Sequence, residues 1–283
     1  MVRVPAVAGS FYPDDARSLT ALVDTMIDAV APPSEPPGAA TAERAPATAY
    51  LVPHAGYRYS GPTAAHVYAR LRGQPVDRVV LIGPAHFVLT RGCAVPAAQT
   101  WLTPLGPVAI DTEAAGRLAA AGLATVDDRP HRPEHSLEVQ LPFLQRALGD
   151  VPVLPVTVGV SDVDAVARLL LAVRTEDRTV ILCSSDLSHY LDEETATVRD
   201  EATLRAVCEL APQRVGLRDA CGVYALRGLL GWAKASGLTP RVLKRTTSAE
   251  TGGDASRVVG YAAVAFNGDG DGSFLEVPEP TER

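Results

Sequence analysis

Val79-Val80-Leu81-Ile82-Gly83-Pro84-Ala85-His86-Phe87 is the stretch on which the fold turns. Four branched apolar residues in succession, closed by the turn-forming pair Gly83-Pro84, have the composition of a strand buried on both faces. Such a strand belongs in a parallel sheet. It delivers His86 just past its C-terminal end, the edge at which open α/β sheets bind their ligands. Alone, His86 is more simply read as a loop histidine satisfying a local hydrogen bond, but the arrangement recurs. Upstream, the apolar run Ala47 to Val52 leads into Pro53-His54-Ala55-Gly56-Tyr57. Downstream, Thr179-Val180-Ile181-Leu182-Cys183 leads into Ser184-Ser185-Asp186-Leu187-Ser188-His189-Tyr190. Three of the six histidines thus follow strand-like segments, a repetition that favours one shared site over three unrelated loops.

Between the first two segments, Ser60-Gly61-Pro62 opens a helix to about Leu71, proline being well placed in a first turn. Strand, helix, strand is a βαβ unit, so the two strands run parallel by the usual right-handed crossover. His54 and His86 then emerge on one edge, and strands spaced by about 4.8 Å bring such histidines close enough to share an ion. His66 falls inside the helix and reads as structural.

The rest of the chain supplies the cover. Leu19, Leu22, Val23, Met26, Ile27 and Val30 recur at helical spacing between Asp15 and Ala31, with Asp14 or Asp15 as a cap. Residues 32–46 are rich in Pro, Ala and Gly and predict a mobile loop. Short strands are expected over 93–96 and 100–103, a helix over 112–121, a strand over 151–158 and a helix from Ser161 to about Arg174. A polar outer helix over 192–211, a helix over 223–235 and two closing strands over 241–247 and 258–266 complete an α/β chain with a central, mostly parallel sheet flanked by helices. One domain over 1–283 is expected, with a flexible tail at 267–283.

Two segments carry further chemistry. In Arg129-Pro130-His131-Arg132-Pro133-Glu134-His135-Ser136-Leu137-Glu138 the prolines hold the chain extended, Ser136 is an N-cap in prospect, and His135 and Glu138 could meet across one helical turn. They read equally as an H-x-x-E ligand pair or as a helix start, with contact to a substrate between the two. Pro142 requires that any helix there begin late or bend. Cys221-Gly222 precedes the helix from Val223, where the helix dipole favours a thiolate; the bland alternative is a packed cysteine in a Gly-hinged turn.

Composition narrows the function. A formal charge of -7 argues against a general nucleic-acid binder. The four cysteines have no C-x-x-C spacing, which disfavours a zinc knuckle or a disulfide scaffold. Neither a signal-like start nor a membrane-length apolar run is present, so no membrane association and a cytoplasmic location are expected.

Taken in order, Pro5 to Pro13, Pro53-His54-Ala55-Gly56-Tyr57 with Ser60-Gly61, Gly83-Pro84-Ala85-His86, Glu134-His135-Ser136-Leu137-Glu138 with Leu141-Pro142, Ser185-Asp186 with Ser188-His189-Tyr190, and Cys221-Gly222 resemble the Memo family. Its bacterial members are called AmmeMemoRadiSam system protein B, and the resemblance covers almost the whole chain. It implies a fold similar to the class III extradiol dioxygenases, whose non-heme iron sits on two histidines and a carboxylate. By this resemblance His54 and His86 match the metal histidines, Cys221 takes the carboxylate's place, His189 matches the catalytic base, and Asp186 is a neighbouring ligand or orienting group. His135, Glu138, Tyr57 and Tyr190 are expected to contact the substrate. Fe(II) is the cofactor implied first, with copper or zinc as alternatives favoured by a soft thiolate. The resemblance further implies a redox or oxygenase activity on a small molecule, a radical SAM enzyme as partner and an AMMECR1-type protein beside it. The contrasting expectation is a non-catalytic module that captures a small-molecule or peptide ligand in the same cleft.

Overall fold

The structure, a computed structural model, describes residues 1–30, 48–173 and 178–268. The loop expected at 32–46 and nearly all of the tail expected at 267–283 lie outside the described residues. In chain order the elements begin with β1 (Val2–Arg3) and α1 (Ala16–Asp28), the latter capped by the Asp15 carboxylate, which accepts the Ser18 N–H. They continue through β2 (Ala49–Val52), α2 (Tyr57–Leu71), β3 (Arg78–Pro84), β4 (Cys93–Val95), β5 (Thr100–Thr103), β6 (Gly106–Ala109), α3 (Thr112–Ala120) and β7 (Thr125–Val126). Next come α4 (Leu141–Leu148), β8 (Val153–Val158), α5 (Val163–Val173), β9 (Thr179–Ser184) and β10 (His189–Leu191). The last elements are α6 (Glu193–Cys208), α7 (Val223–Ala235), β11 (Thr239–Thr247) and β12 (Val258–Asn267).

At the centre of the large sheet β2, β9, β3 and β8 lie side by side and parallel. Every residue of these four strands is buried, which is why they read as unbroken apolar runs rather than as alternating ones. Outside these four the pairing turns antiparallel, β12 against β2 with β10 and β11 on β12, and β4 against β8, while the outermost β7 lies parallel on β4. A small separate sheet joins β1, β5 and β6.

The period-two alternation of strands sorts the core into two layers. Leu51, Val80, Ile82, Leu154 and Ile181 face α3, α5, α6 and α7, whereas Tyr50, Val52, Leu81, Val153 and Leu182 face α1, α2 and α4. Among the described residues no helix is long and apolar enough to cross a membrane.

Two helix starts differ from expectation. Helix α2 begins at Tyr57, not Ser60, so Pro62 lies inside it. The earlier start is anchored by the Tyr57 N–H, which donates to the Phe11 carbonyl, and Pro62 forgoes one backbone bond. Ser136 caps no helix: its hydroxyl donates to the Pro84 carbonyl at 3.0 Å. A 3-10 turn over Glu138–Gln140 intervenes, and α4 starts at Leu141 with Pro142 in its first turn, where a missing N–H costs nothing.

Candidate metal centre

Because β9 lies between β2 and β3, the loops after all three strands open on one edge of the sheet. His54 follows β2, His86 follows β3, Asp186 follows β9, and Cys221 stands just before α7. The rings of His54 and His86 are 5.3 Å apart, edge to face. Cys221 Sγ is 3.2 Å from His54 Nε2. One ring nitrogen of each histidine and the sulfur all lie within 4.8 Å of one another. The backbone holds this arrangement: the His54 N–H donates to Asp186 Oδ1 at 2.7 Å, and the Asp186 N–H points at Cys221 Sγ at 3.3 Å.

Burial, together with the neighbouring His86 and His135, holds His54 well below the usual histidine range, so its ring is neutral at physiological pH. For Cys221 the helix-start expectation is corrected. Burial pushes the thiol up, and the adjacent Asp186 pushes it further, against the N–H groups of Asp186 and Gly222 that favour thiolate. In the metal-free chain desolvation outweighs the dipole.

A second group joins His86, Glu134 and His135. Glu134 was not singled out from the sequence, although it stands beside His135 in the same motif. Its carboxylate accepts His86 Nδ1 at 2.9 Å and the backbone N–H groups of His86, His135 and Ser136. Burial alone would raise it, but the bond and charge of His86 with those amides hold it at about 2. His135 stacks on His86 at 4.9 Å and meets Phe11 edge-on at 4.7 Å. Helical spacing pointed instead to Glu138, and here the structure corrects the reading. This stretch is extended and then 3-10, so Glu138 turns inward. It is fully buried, binding Arg3 at 2.8 Å, Tyr12 Oη at 2.6 Å and the amides of Ala6 and Val7. Tyr57 is likewise directed into the core: its hydroxyl donates to the Val139 carbonyl, and the ring packs between Tyr12 and Phe143. Neither residue lines the cavity.

A third group is Asp186, His189 and Cys221. Burial raises the Asp186 carboxyl, opposed by the nearby His189 and the His54 amide. His189 donates from Nδ1 to the Leu187 carbonyl at 2.9 Å, which leaves Nε2 without a partner among the described residues. The loop that carries it is gripped by Gly260, which bonds Leu187 and Ser188, and by Asp200, which accepts the Ser188 N–H at 3.0 Å. Tyr190 takes φ 62°, a left-handed backbone rare for a bulky residue, and stands 63% exposed with Arg257 4.5 Å over its ring.

These groups open into one cavity of about 1000 Å³, lined by His54, His86, His135, Asp186, His189 and Cys221. Its wall also carries Arg199, Arg218 and Arg257, drawn from three separate segments.

A family model described as Memo-like protein matches residues 3–265. The chain belongs to the Memo family. A MEMO1 family protein of Ignicoccus hospitalis is 39% identical over 285 residues, covering 94% of this chain and 99% of that protein. One from Aquifex aeolicus is 37% identical over 276 residues, covering 94% and 99%. Among solved structures, the crystal structure of uncharacterized protein JW3007 from Escherichia coli K12 superposes with a TM-score of 0.53 at 16% identity, covering 77% of this chain and 98% of that one; it shows the α/β fold. For a Memo-family site the donor set can be tested against a metal. His86 gives its Nδ1 to a carboxylate, which leaves Nε2 as the ring atom for an ion, the usual arrangement of a metal-binding histidine. Two imidazoles and a sulfur suit iron, copper or zinc better than magnesium or calcium.

Proposed function

We propose that this Memo-family chain is a non-heme metal protein in which His54, His86 and Cys221 hold one ion and the adjoining cavity receives a small molecule for redox or oxygenase chemistry. The observation that carries this reading is the convergence of two ring nitrogens and one sulfur within 4.8 Å of each other at the sheet edge. Fe(II) is the first choice of ion, with copper and zinc admitted by the thiolate; it would supply Lewis acidity and, as iron or copper, one-electron chemistry. The protein's own groups do the rest. His189 exchanges a proton at Nε2, Asp186 anchors the His54 backbone beside it, and His135 and Tyr190 hold the ligand against the wall. Arg218 and Arg257 favour an anionic group on that ligand, whereas Arg199 is already paired with Asp219 at 2.8 Å. A radical SAM enzyme and an AMMECR1-type protein are proposed as partners on the family resemblance.

Metal analysis of anaerobically purified protein tests this reading, with His54→Ala, His86→Ala and Cys221→Ala alongside. About one ion per chain in the wild type, lost in each variant, is the expected result. Wild type that remains metal-free yet binds small molecules supports the alternative, a non-catalytic binding module using the same cleft. With metal present, O₂ consumption on catechols separates oxygenase chemistry from a redox or storage role. His189→Ala is expected to keep its metal and lose any turnover by about 10²-fold or more; an unchanged rate removes His189 from the mechanism.

A further inference from the structure

Behind His54 lies a chain of buried polar groups whose donors and acceptors leave little choice of arrangement. Tyr68 Oη is 2.6 Å from Gln140 Oε1, and Gln140 Nε2 is 2.9 Å from both the Pro53 carbonyl and Ser184 Oγ. The Pro53 carbonyl can only accept, so the Gln140 amide group must present its nitrogen there and its oxygen to Tyr68. Ser184 Oγ is 2.6 Å from the Ser136 carbonyl, which also can only accept, so the single hydroxyl proton of Ser184 goes to Ser136. One lone pair of Ser184 Oγ already takes the Gln140 N–H. What remains for His54 Nδ1, at 2.9 Å, is the other lone pair.

We propose that Ser184, its hydroxyl aimed by Gln140 and the Ser136 carbonyl, is a positioning residue that locks His54 in the tautomer protonated at Nδ1. Nε2 is then bare and faces Cys221 Sγ. His54, Ser136, Gln140 and Ser184 are all buried to 1% exposure or less, and Tyr68 is fully buried, so exchange with bulk water offers no easy substitute partner. The opposite tautomer would set two lone pairs against each other at Nδ1 and point a proton at the ion's place. The lock deepens the metal-centre reading by preparing the ligand before an ion arrives. It operates in the metal-free protein, so it can fail or stand independently of that reading.

Nitrogen-proton correlation spectra of the histidine rings in metal-free wild type report the tautomer directly. The expected pattern is a protonated Nδ1 and an unprotonated Nε2 at His54, identified by its absence in His54→Ala. A protonated Nε2 in wild type overturns the proposal. In Ser184→Ala the pattern is expected to shift toward protonated Nε2. Affinity for Co(II), added alone and followed by its electronic spectrum, is expected to fall about 10- to 100-fold. Ser184→Thr, which keeps the hydroxyl, is expected to restore the wild-type ring pattern. A folded Ser184→Ala protein with the wild-type tautomer also overturns it. Should Ser184→Ala not fold, Gln140→Met, which removes one of the two groups that fix the Ser184 hydroxyl and leaves only the Ser136 carbonyl, is expected to give a mixture of tautomers. A pure wild-type pattern there would remove Gln140 from the lock.

Discussion

His86 and Glu134 are joined twice: the carboxylate accepts both the backbone N–H and the ring Nδ1 of the histidine, the latter at 2.9 Å. One buried side chain thus sets both where the His86 backbone sits and which way its ring turns. Glu134→Ala leaves the His86, His135 and Ser136 amides without their acceptor. Urea unfolding is expected to show a loss of about 2 to 4 kcal/mol. Metal titration of the same variant is expected to show affinity down by about 10- to 100-fold, because His86 remains but is no longer aimed.

Glu138 performs a similar service for the N-terminal segment. It gathers Arg3, Tyr12 and the amides of Ala6 and Val7 into one buried knot, while Arg3 also donates to the carbonyls of His131 and Glu134. Glu138→Ala strands the Arg3 charge in the core, at a cost of about 3 to 5 kcal/mol. Limited proteolysis is expected to cut within residues 1–12 of the variant while the wild type resists there. Equal resistance would show that the knot does not tether the segment.

His131 predicts a pH dependence away from the metal centre. Burial, and then the Arg3 charge, press its value from 6.5 down to about 4. The unfolded chain therefore binds the proton first as pH falls. The stability that the neutral ring contributes is fully present above about pH 6.5, declines through that window and is lost once pH drops below about 4. The decline amounts to about 3 kcal/mol. Unfolding curves at pH 7 and pH 4 are expected to differ by about that much less in His131→Gln than in wild type. An identical pH dependence in the two proteins would rule His131 out as its source.

Gly260 admits the Asp200 carboxylate to the loop that presents His189. A Cβ at position 260 would fall 1.7 Å from Asp200 Oδ2. Gly260→Ala is expected to destabilise by about 1 to 3 kcal/mol and to displace the His189 loop. Combining it with Asp200→Ala, which clears the clash, is expected to cost less than the sum of the two single changes in a double-mutant cycle. Simple additivity would show that the carboxylate and the glycine do not meet.

Much of this architecture is legible along the chain. Val79 to Ile82, Tyr50 to Val52 and Val180 to Cys183 announce buried parallel strands because an unbroken apolar run finds no stable place with a solvated face. His54, His86 and Asp186 follow those strands directly and so could be placed on one edge before any contact was known. The segment 134–142 is less legible. Spacing of three residues suggests a helix, yet Pro133 and Pro142 and the bonds of Ser136 and Glu138 to distant partners decide otherwise. Nothing local distinguishes Glu134 as a carboxylate that meets a histidine 48 positions away.

Local composition and the handed crossover by themselves determined an α/β chain whose histidines leave parallel strands at a common edge, since burial of apolar strands and right-handed βαβ connection are properties of short segments. Only the tertiary structure decided that β9 inserts between β2 and β3, that Glu134 rather than Glu138 faces His86, and that the Cys221 thiol is buried enough for desolvation to outweigh its helix. Each of those outcomes depends on groups far apart in the chain, whose hydrogen bonds and lost hydration exist only once the elements have packed.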